Sequence, residues 1–280
     1  MKLLFIGDIV GKKGRWALSR FLPDFVEKNE IDFVTANIEN AAGGYGTTHN
    51  ITRKIRSYGV HVQTSGNHIW DRPDIREYLD NTDYLLRPAN YPLGLPGHGS
   101  VVISLDNGIK VGVLNLEGRD FLSRIDCPFR TADAELTLMK RETNIVFVDF
   151  HAEQIEEKRA LGFYLDGRIS AIVGTHTHVQ TRDEMILPKG TAYISDSGMT
   201  GAYDSVLGMN KKAAIGRFVS GIPHKFKVAE NDVKVCGVMI TINEQTGQAV
   251  SIERIMEDIT ENGANMNSSQ NWGDENGAHT

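Results

Sequence analysis

Asp8, Glu39, Asn40, Asn67, His68, His151, His176 and His178 are residue types that hold metal ions or move protons, and their placement in the chain is regular. Each comes at the end of an apolar run: KLLFIGD, FVTANIEN, HVQTSGNH, IVFVDFH and ISAIVGTHTH. Singly, each residue has an ordinary use. Asp8 suits a turn, the asparagines suit caps, and a single histidine is commonly a satisfied core or surface residue. Random placement does not put all of them at strand ends. In α/β sheets, ligands sit beyond the carboxyl ends of the strands, so these ends can converge on one crevice.

The donor set carries chemical information. Imidazole nitrogen with carboxylate and amide oxygen suits manganese, iron, zinc or cobalt. The absence of a thiolate ligand argues against a structural zinc site. The donors exceed what one ion needs, and two ions sharing Glu39 would use them all. Two ions about 3.5–4 Å apart are the arrangement that clamps phosphoryl transfer. His68 directly follows Asn67, so its imidazole would sit beside such a site, where it could protonate a leaving oxygen near neutral pH.

The elements that must position these residues can be read from periodicity. Strands are expected at 2–6, 32–38, 61–68, 84–88, 100–105, 110–118, 144–153 and 169–178, and from 191. Helices are expected at 15–29, after Thr47 or Thr48, from 71, near 131–142 and near 153–163. Residues 198–209 read as a glycine-rich loop, either lining the substrate pocket with Tyr203 near the nucleobase or serving as a plain structural crossover. The segments 225–230, 234–242 and 249–255 alternate like antiparallel strands. Buried strands alternating with helices indicate an α/β fold. Residues 1–260 read as one domain, and the polar stretch 261–280 reads as a disordered tail.

The 280 residues carry 36 acidic and 30 basic side chains, a formal charge of −6. That balance argues against a duplex nucleic acid partner but leaves room for a small anion held by local positive charge. Cys127 and Cys236 lie in no CxxC and read as reduced thiols. No apolar run approaches membrane-spanning length, and the expected location is the cytoplasm.

The motifs GD, EN, GNH, H and GTHTH resemble those of the calcineurin-like metallophosphoesterases. The chain departs from the usual pattern at GDIVG, which lacks the second early histidine, at NIENAAGG, and at Ile69 after GNH. IGDIVG, ENAAGG, GNHIWD, RPANYP, DFHAE, GTHTHVQT, LPKGTAYISD and GMTGAYDSVLGM together resemble the YmdB-like bacterial phosphodiesterase branch over roughly residues 1–257. The resemblance implies a four-layer α/β/β/α sandwich, two mixed sheets flanked by helices, with a dinuclear centre of iron or manganese, zinc being a further option. One ion would be held by Asp8, Glu39, Asn40 and His178, the other by Glu39, Asn67, His151 and His176. A bridging hydroxide would attack phosphorus, and His68 would be the general acid. The implied substrate is a cyclic nucleotide, notably 2′,3′-cyclic AMP, and the implied state is a homo-oligomer. Two rival readings stand beside it. One is a phosphomonoesterase or RNA-end nuclease using the same metals, and the other is a non-catalytic nucleotide-sensing regulator.

Overall fold

The computed structural model describes residues 1–120, 125–222, 225 and 227–260. The expectation for the tail at 261–280 lies outside the described residues. Two sheets form, each of six strands among the described residues. The first runs β10 (Gly201–Ala202), β11 (Val233–Ile242), β1 (Lys2–Ile6), β2 (Phe33–Asn37) and β3 (Val62–Thr64), with β12 (Ala249–Asp258) also paired to β11. The second runs β4 (Ser100–Ser104), β5 (Lys110–Glu117), β6 (Ile145–His151), β7 (Ala171–Thr175), β9 (Ala192–Ile194) and β8 (Met185–Ile186). Strands β1, β2 and β3 are parallel, as are β5, β6, β7 and β9. Antiparallel strands finish both sheets.

Three apolar clusters define four layers. Leu3, Phe5 and Phe33 of the first sheet pack against Val113, Phe147 and Val173 of the second. The Phe5 and Phe147 rings lie 5.1 Å apart between centroids. The other face of the first sheet is covered by α1 (Gly11–Asn29), α2 (His49–Arg56) and α3 (Ile75–Asp80). The other face of the second is covered by α4 (Pro128–Met139) and α5 (Ile155–Leu165). This is the α/β/β/α sandwich expected from the sequence.

Local chemistry explains the boundaries that moved. Helix α1 begins at Gly11, at once after the first turn, and ends where Glu30 turns left-handed. Pro128 starts α4 three residues before the expected boundary, as proline suits a first helical turn. Strand β3 stops at Thr64, and Asn67 and His68 fall in a one-turn 3-10 helix (Asn67–Trp70) rather than in the strand. Residues 84–88 make only isolated bridges, Gln63 to Leu85 and Leu86 to His98. Of the expected strand at 225–230, the described residues make only a bridge between Val228 and Met209, so this segment follows the 198–209 loop and not the sheet. Helix α6 (Lys211–Ser220) was not expected, although its signals are local. Asn210 caps it by accepting from the Lys212 and Ala213 N–H groups, and Gly221 closes it in the left-handed region.

The sheets are also joined by polar contacts at their carboxyl ends. Asp149 of β6 is fully buried. Its Oδ2 accepts from Asn37 Nδ2 of β2 at 3.0 Å and from the Thr64 hydroxyl of β3. Its Oδ1 accepts from Thr175 Oγ1 of β7 at 2.7 Å. One carboxylate thus aligns the strand ends of both sheets. Burial raises its pKa to about 6 against the partial offset of these hydrogen bonds and of the nearby His151 charge. Replacing Asp149 by alanine would leave three buried donors without their acceptor. Urea unfolding of Asp149→Ala should show a loss of roughly 2–4 kcal/mol. A loss well under ~1 kcal/mol would mean that the cross-sheet carboxylate is dispensable.

Candidate metal centre

The strand registers bring the donor residues to one edge. Asn37 pairs with Thr64, Glu117 with His151, and His151 with Thr175. Four side chains meet at this edge, with His151 in the middle. Its Nε2 lies 3.1 Å from Glu39 Oε1, 3.1 Å from Asn67 Oδ1 and 3.0 Å from His176 Nδ1. Glu39, His151 and His176 offer ligand atoms that all lie within 4.8 Å of one another. Gly66 permits this approach, because a Cβ there would lie 2.1 Å from the His151 ring.

The partners of the remaining ring atoms determine what this cluster presents. His151 Nδ1 lies 3.0 Å from Thr175 Oγ1. That hydroxyl already donates to Asp149, so it accepts from the ring. His176 Nε2 lies 3.1 Å from Glu153 Oε2. In each ring the nitrogen away from the centre has an acceptor, so the nitrogen facing the centre can present its lone pair. A carboxylate oxygen, an amide oxygen and two imidazole nitrogens then point their lone pairs at one place. Such an arrangement calls for a cation.

A second group lies beside it. His178 Nε2 is 3.3 Å from Asn40 Oδ1. His178 Nδ1 donates to the Leu207 carbonyl at 3.1 Å, and Asn40 Nδ2 donates to the Gly44 carbonyl at 3.1 Å. Two lone-pair atoms again face each other. Asp8 is fully buried, and its Oδ2 accepts from the His176 N–H at 3.1 Å. Its Oδ1 finds no hydrogen-bond partner among the described residues, and the His151 Nδ1 atom stands 4.0 Å away. A buried carboxylate oxygen without a hydrogen bond is costly unless a cation satisfies it.

The electrostatics follow from this crowding. Burial pushes Asp8 well above the carboxylate range. The His151 charge opposes that, while Asp196, Glu39 and Asp149 add to it. For Glu39, burial is outweighed by the charge and hydrogen bond of His151 and by His68, and its pKa falls to about 2. Burial lowers His151, but Glu39, Asp8 and Asp149 overcome it and raise the imidazole to about 9. His176 is pushed down to about 3, first by burial and then by the His151 charge. Its contact with Glu153 is therefore a hydrogen bond from a neutral ring. His178 is lowered as well, mainly by burial. The same acceptors that would hold a cation thus favour the charged form of His151.

His68 stands at the rim. Its backbone N–H donates to Glu39 Oε2 at 3.1 Å, and its Nδ1 lies 2.7 Å from Asp71 Oδ2. The Tyr45 ring meets it edge-on at 4.9 Å. Every ligand and acid candidate named from the sequence thus lies at this edge. Sequence reasoning missed the partners: Asp71 for His68, Thr175 and Asp149 for His151, and Glu153 for His176. The available signals were weak. Asp71 is three residues after His68, one turn of a 3-10 helix, and Asp149 is a charge inside an otherwise apolar strand. Tyr203 does not fit its expected place. Its hydroxyl donates to the Met199 carbonyl at 2.9 Å and lies 2.9 Å from Cys236 Sγ in β11. The 198–209 loop instead reaches the site through the Leu207 carbonyl. The RPANYP loop at 87–92 packs behind the site, with Tyr91 meeting the Trp70 ring edge-on at 5.9 Å and donating to Glu117 Oε2.

A family model described as YmdB-like protein matches residues 4–255. The chain belongs to the YmdB-like family. The 2′,3′-cyclic-nucleotide 2′-phosphodiesterase of Bacillus subtilis (strain 168) is 48% identical over 256 residues, which are 91% of this chain and 97% of that protein. The crystal structure of a hypothetical protein from Thermus thermophilus matches with a TM-score of 0.86 at 38% identity, covering 92% of this chain and 99% of the other. That of a novel phosphatase from Mycoplasma pneumoniae matches with a TM-score of 0.86 at 32% identity, covering 92% and 93%. The class expected from the sequence, a phosphoric diester hydrolase, is that of the Bacillus relative.

This YmdB-like chain has the residues that a metal centre requires. The opposed lone pairs and the orphaned Asp8 oxygen fit divalent ions better than they fit each other. Among the described residues no helix is long and apolar enough to cross a membrane. Manganese analysis after equilibrium dialysis should find about two ions per chain in the parent and at least one fewer in Glu39→Gln. Equal manganese in both would contradict the sharing of Glu39.

Proposed function

We propose that the chain hydrolyses 2′,3′-cyclic nucleotides, 2′,3′-cyclic AMP among them, to nucleoside 3′-monophosphates. The observation that carries this reading is the convergence of Glu39 Oε1, Asn67 Oδ1, His151 Nε2 and His176 Nδ1 on one point, in a chain kin to a 2′,3′-cyclic-nucleotide 2′-phosphodiesterase. Asp8, Glu39, Asn40 and His178 would hold one ion, and Glu39, Asn67, His151 and His176 the other. Iron or manganese suits these donors, and zinc is compatible with them. When bound, the ions supply positive charge for the phosphoryl oxygens and make a water more acidic. On the same reading the enzyme works in the cytoplasm as a homo-oligomer.

The chain's own residues supply the proton. Asp71 accepts from His68 Nδ1, which orients the ring and leaves Nε2 to face the leaving group. The bond between phosphorus and the 2′ oxygen breaks, and that oxygen takes the proton from His68 Nε2. Water supplies the new oxygen on phosphorus and gives up a proton to solvent, from which His68 is reprotonated, and the product is a 3′-monoester. The hydrogen bond from the His68 N–H to Glu39 holds the acid beside the phosphorus. A phosphomonoesterase is the second reading, favoured by the phosphatase from Mycoplasma pneumoniae.

Manganese-loaded protein should convert 2′,3′-cyclic AMP to 3′-AMP, identified by chromatography. His68→Asn should lower kcat by about 10²–10⁴-fold with manganese content unchanged. Release of adenosine and phosphate from 3′-AMP, with 2′,3′-cyclic AMP left intact, would favour the phosphomonoesterase. No turnover with manganese or iron would remove the proposal.

A further inference from the structure

The two histidines of GTHTH stand on unusual backbone. His176 has φ 101° and His178 has φ 64°, in the left-handed region that side chains other than glycine avoid. Strain of this kind persists only where the surroundings over-determine it. The restraint comes from outside the cluster. Asp196 follows β9 and is buried. Its Oδ2 accepts from the Thr177 N–H at 3.1 Å, from Thr177 Oγ1 at 2.8 Å and from Lys158 Nζ at 2.9 Å. Its Oδ1 accepts from the Gly198 N–H at 2.9 Å. Lys158 comes from α5, and its side chain and that of Asp196 are each 1% exposed. Gly174 makes room for it, since a Cβ there would lie 2.9 Å from Lys158 Cδ and 1.8 Å from the Ser195 carbonyl oxygen.

A fully buried lysine is rare, and a buried ion pair is weak evidence of a stabilising role. Here the pair has a specific connection. Thr177 is the residue between the two strained histidines, and both its N–H and its hydroxyl end on Asp196. We propose that Lys158 and Asp196 form a positioning clamp that holds Thr177, and through it sets the imidazoles of His176 and His178 toward the ligand cluster. Lys158 neutralises the carboxylate and holds it in place, so Asp196 accepts from Thr177 through one oxygen and from Gly198 through the other and does not compete for a cation. None of the three residues would touch substrate. The second half of the test rests on the metal reading above.

Two measurements separate the clamp from that reading. Amide hydrogen exchange on chelator-treated protein needs no metal. Thr177→Val keeps the ion pair and removes the hydroxyl's bond to Asp196, together with the longer one it accepts from the Val179 N–H at 3.4 Å. It should speed exchange across 174–180 about tenfold and leave β1 and β11 unchanged. Thr177→Ser should match the parent. Lys158→Met, provided its circular dichroism matches the parent, should show a larger change in the same segment. Manganese affinity, read by titration calorimetry, should fall about 10–100-fold in Thr177→Val and Lys158→Met and be retained in Thr177→Ser. Unchanged exchange in Thr177→Val overturns the clamp. Faster exchange with parent-like manganese affinity overturns its positioning role. A parent that binds no manganese overturns the metal reading, and the exchange data still judge the clamp.

Discussion

Lone pairs that face one another inside a protein are the constraint on which this structure turns. Around His151 Nε2, a carboxylate oxygen, an amide oxygen and a second imidazole nitrogen stand at 3.1, 3.1 and 3.0 Å. Groups placed so repel each other unless positive charge lies among them. The outward nitrogens of His151, His176 and His178 are committed to Thr175, Glu153 and the Leu207 carbonyl, so the rings cannot turn to relieve the conflict. The site is therefore suited to a cation, and the same acceptors raise the pKa of His151.

The fold serves this arrangement. Parallel strands deliver their carboxyl ends to one edge, but two stacked sheets could slide relative to one another. The Phe5 and Phe147 contact fixes the packing in the apolar layer, and Asp149 fixes it at the site end by accepting from both sheets. The same carboxylate orients Thr175 and, through it, His151. Stability and site geometry are thus linked at one residue, which places an acid with a raised pKa in the interior.

Much of this was legible in the sequence. Apolar runs ending in Asp8, Glu39, Asn67, His151 and His176 announce both the strands and the crevice, because a strand buried on both faces leaves its polar residues for the end. The contacts made across the chain were not legible. Lys158 and Asp196 are 38 residues apart in sequence, and nothing local in either segment points to the other. Asp71 was near at hand, but its role depends on a 3-10 turn where alternation suggested more strand. The 225–230 segment alternates like a strand, yet its described residues follow the 198–209 loop, since β1, β10 and β12 supply the partners that β11 has. Helix α6 was missed for the opposite reason. Ala214 is its buried position, so its pattern carries little core signal beside a cap at each end.

The most direct test of the lone-pair account is anomalous diffraction from manganese-soaked crystals at the manganese edge. One peak should lie within about 2.0–2.4 Å of Glu39, Asn67, His151 and His176 donor atoms, and a second between Asp8, Asn40 and His178 on the far side of Glu39. Ordered imidazoles with no anomalous peak among them, or peaks only at surface carboxylates, would contradict it.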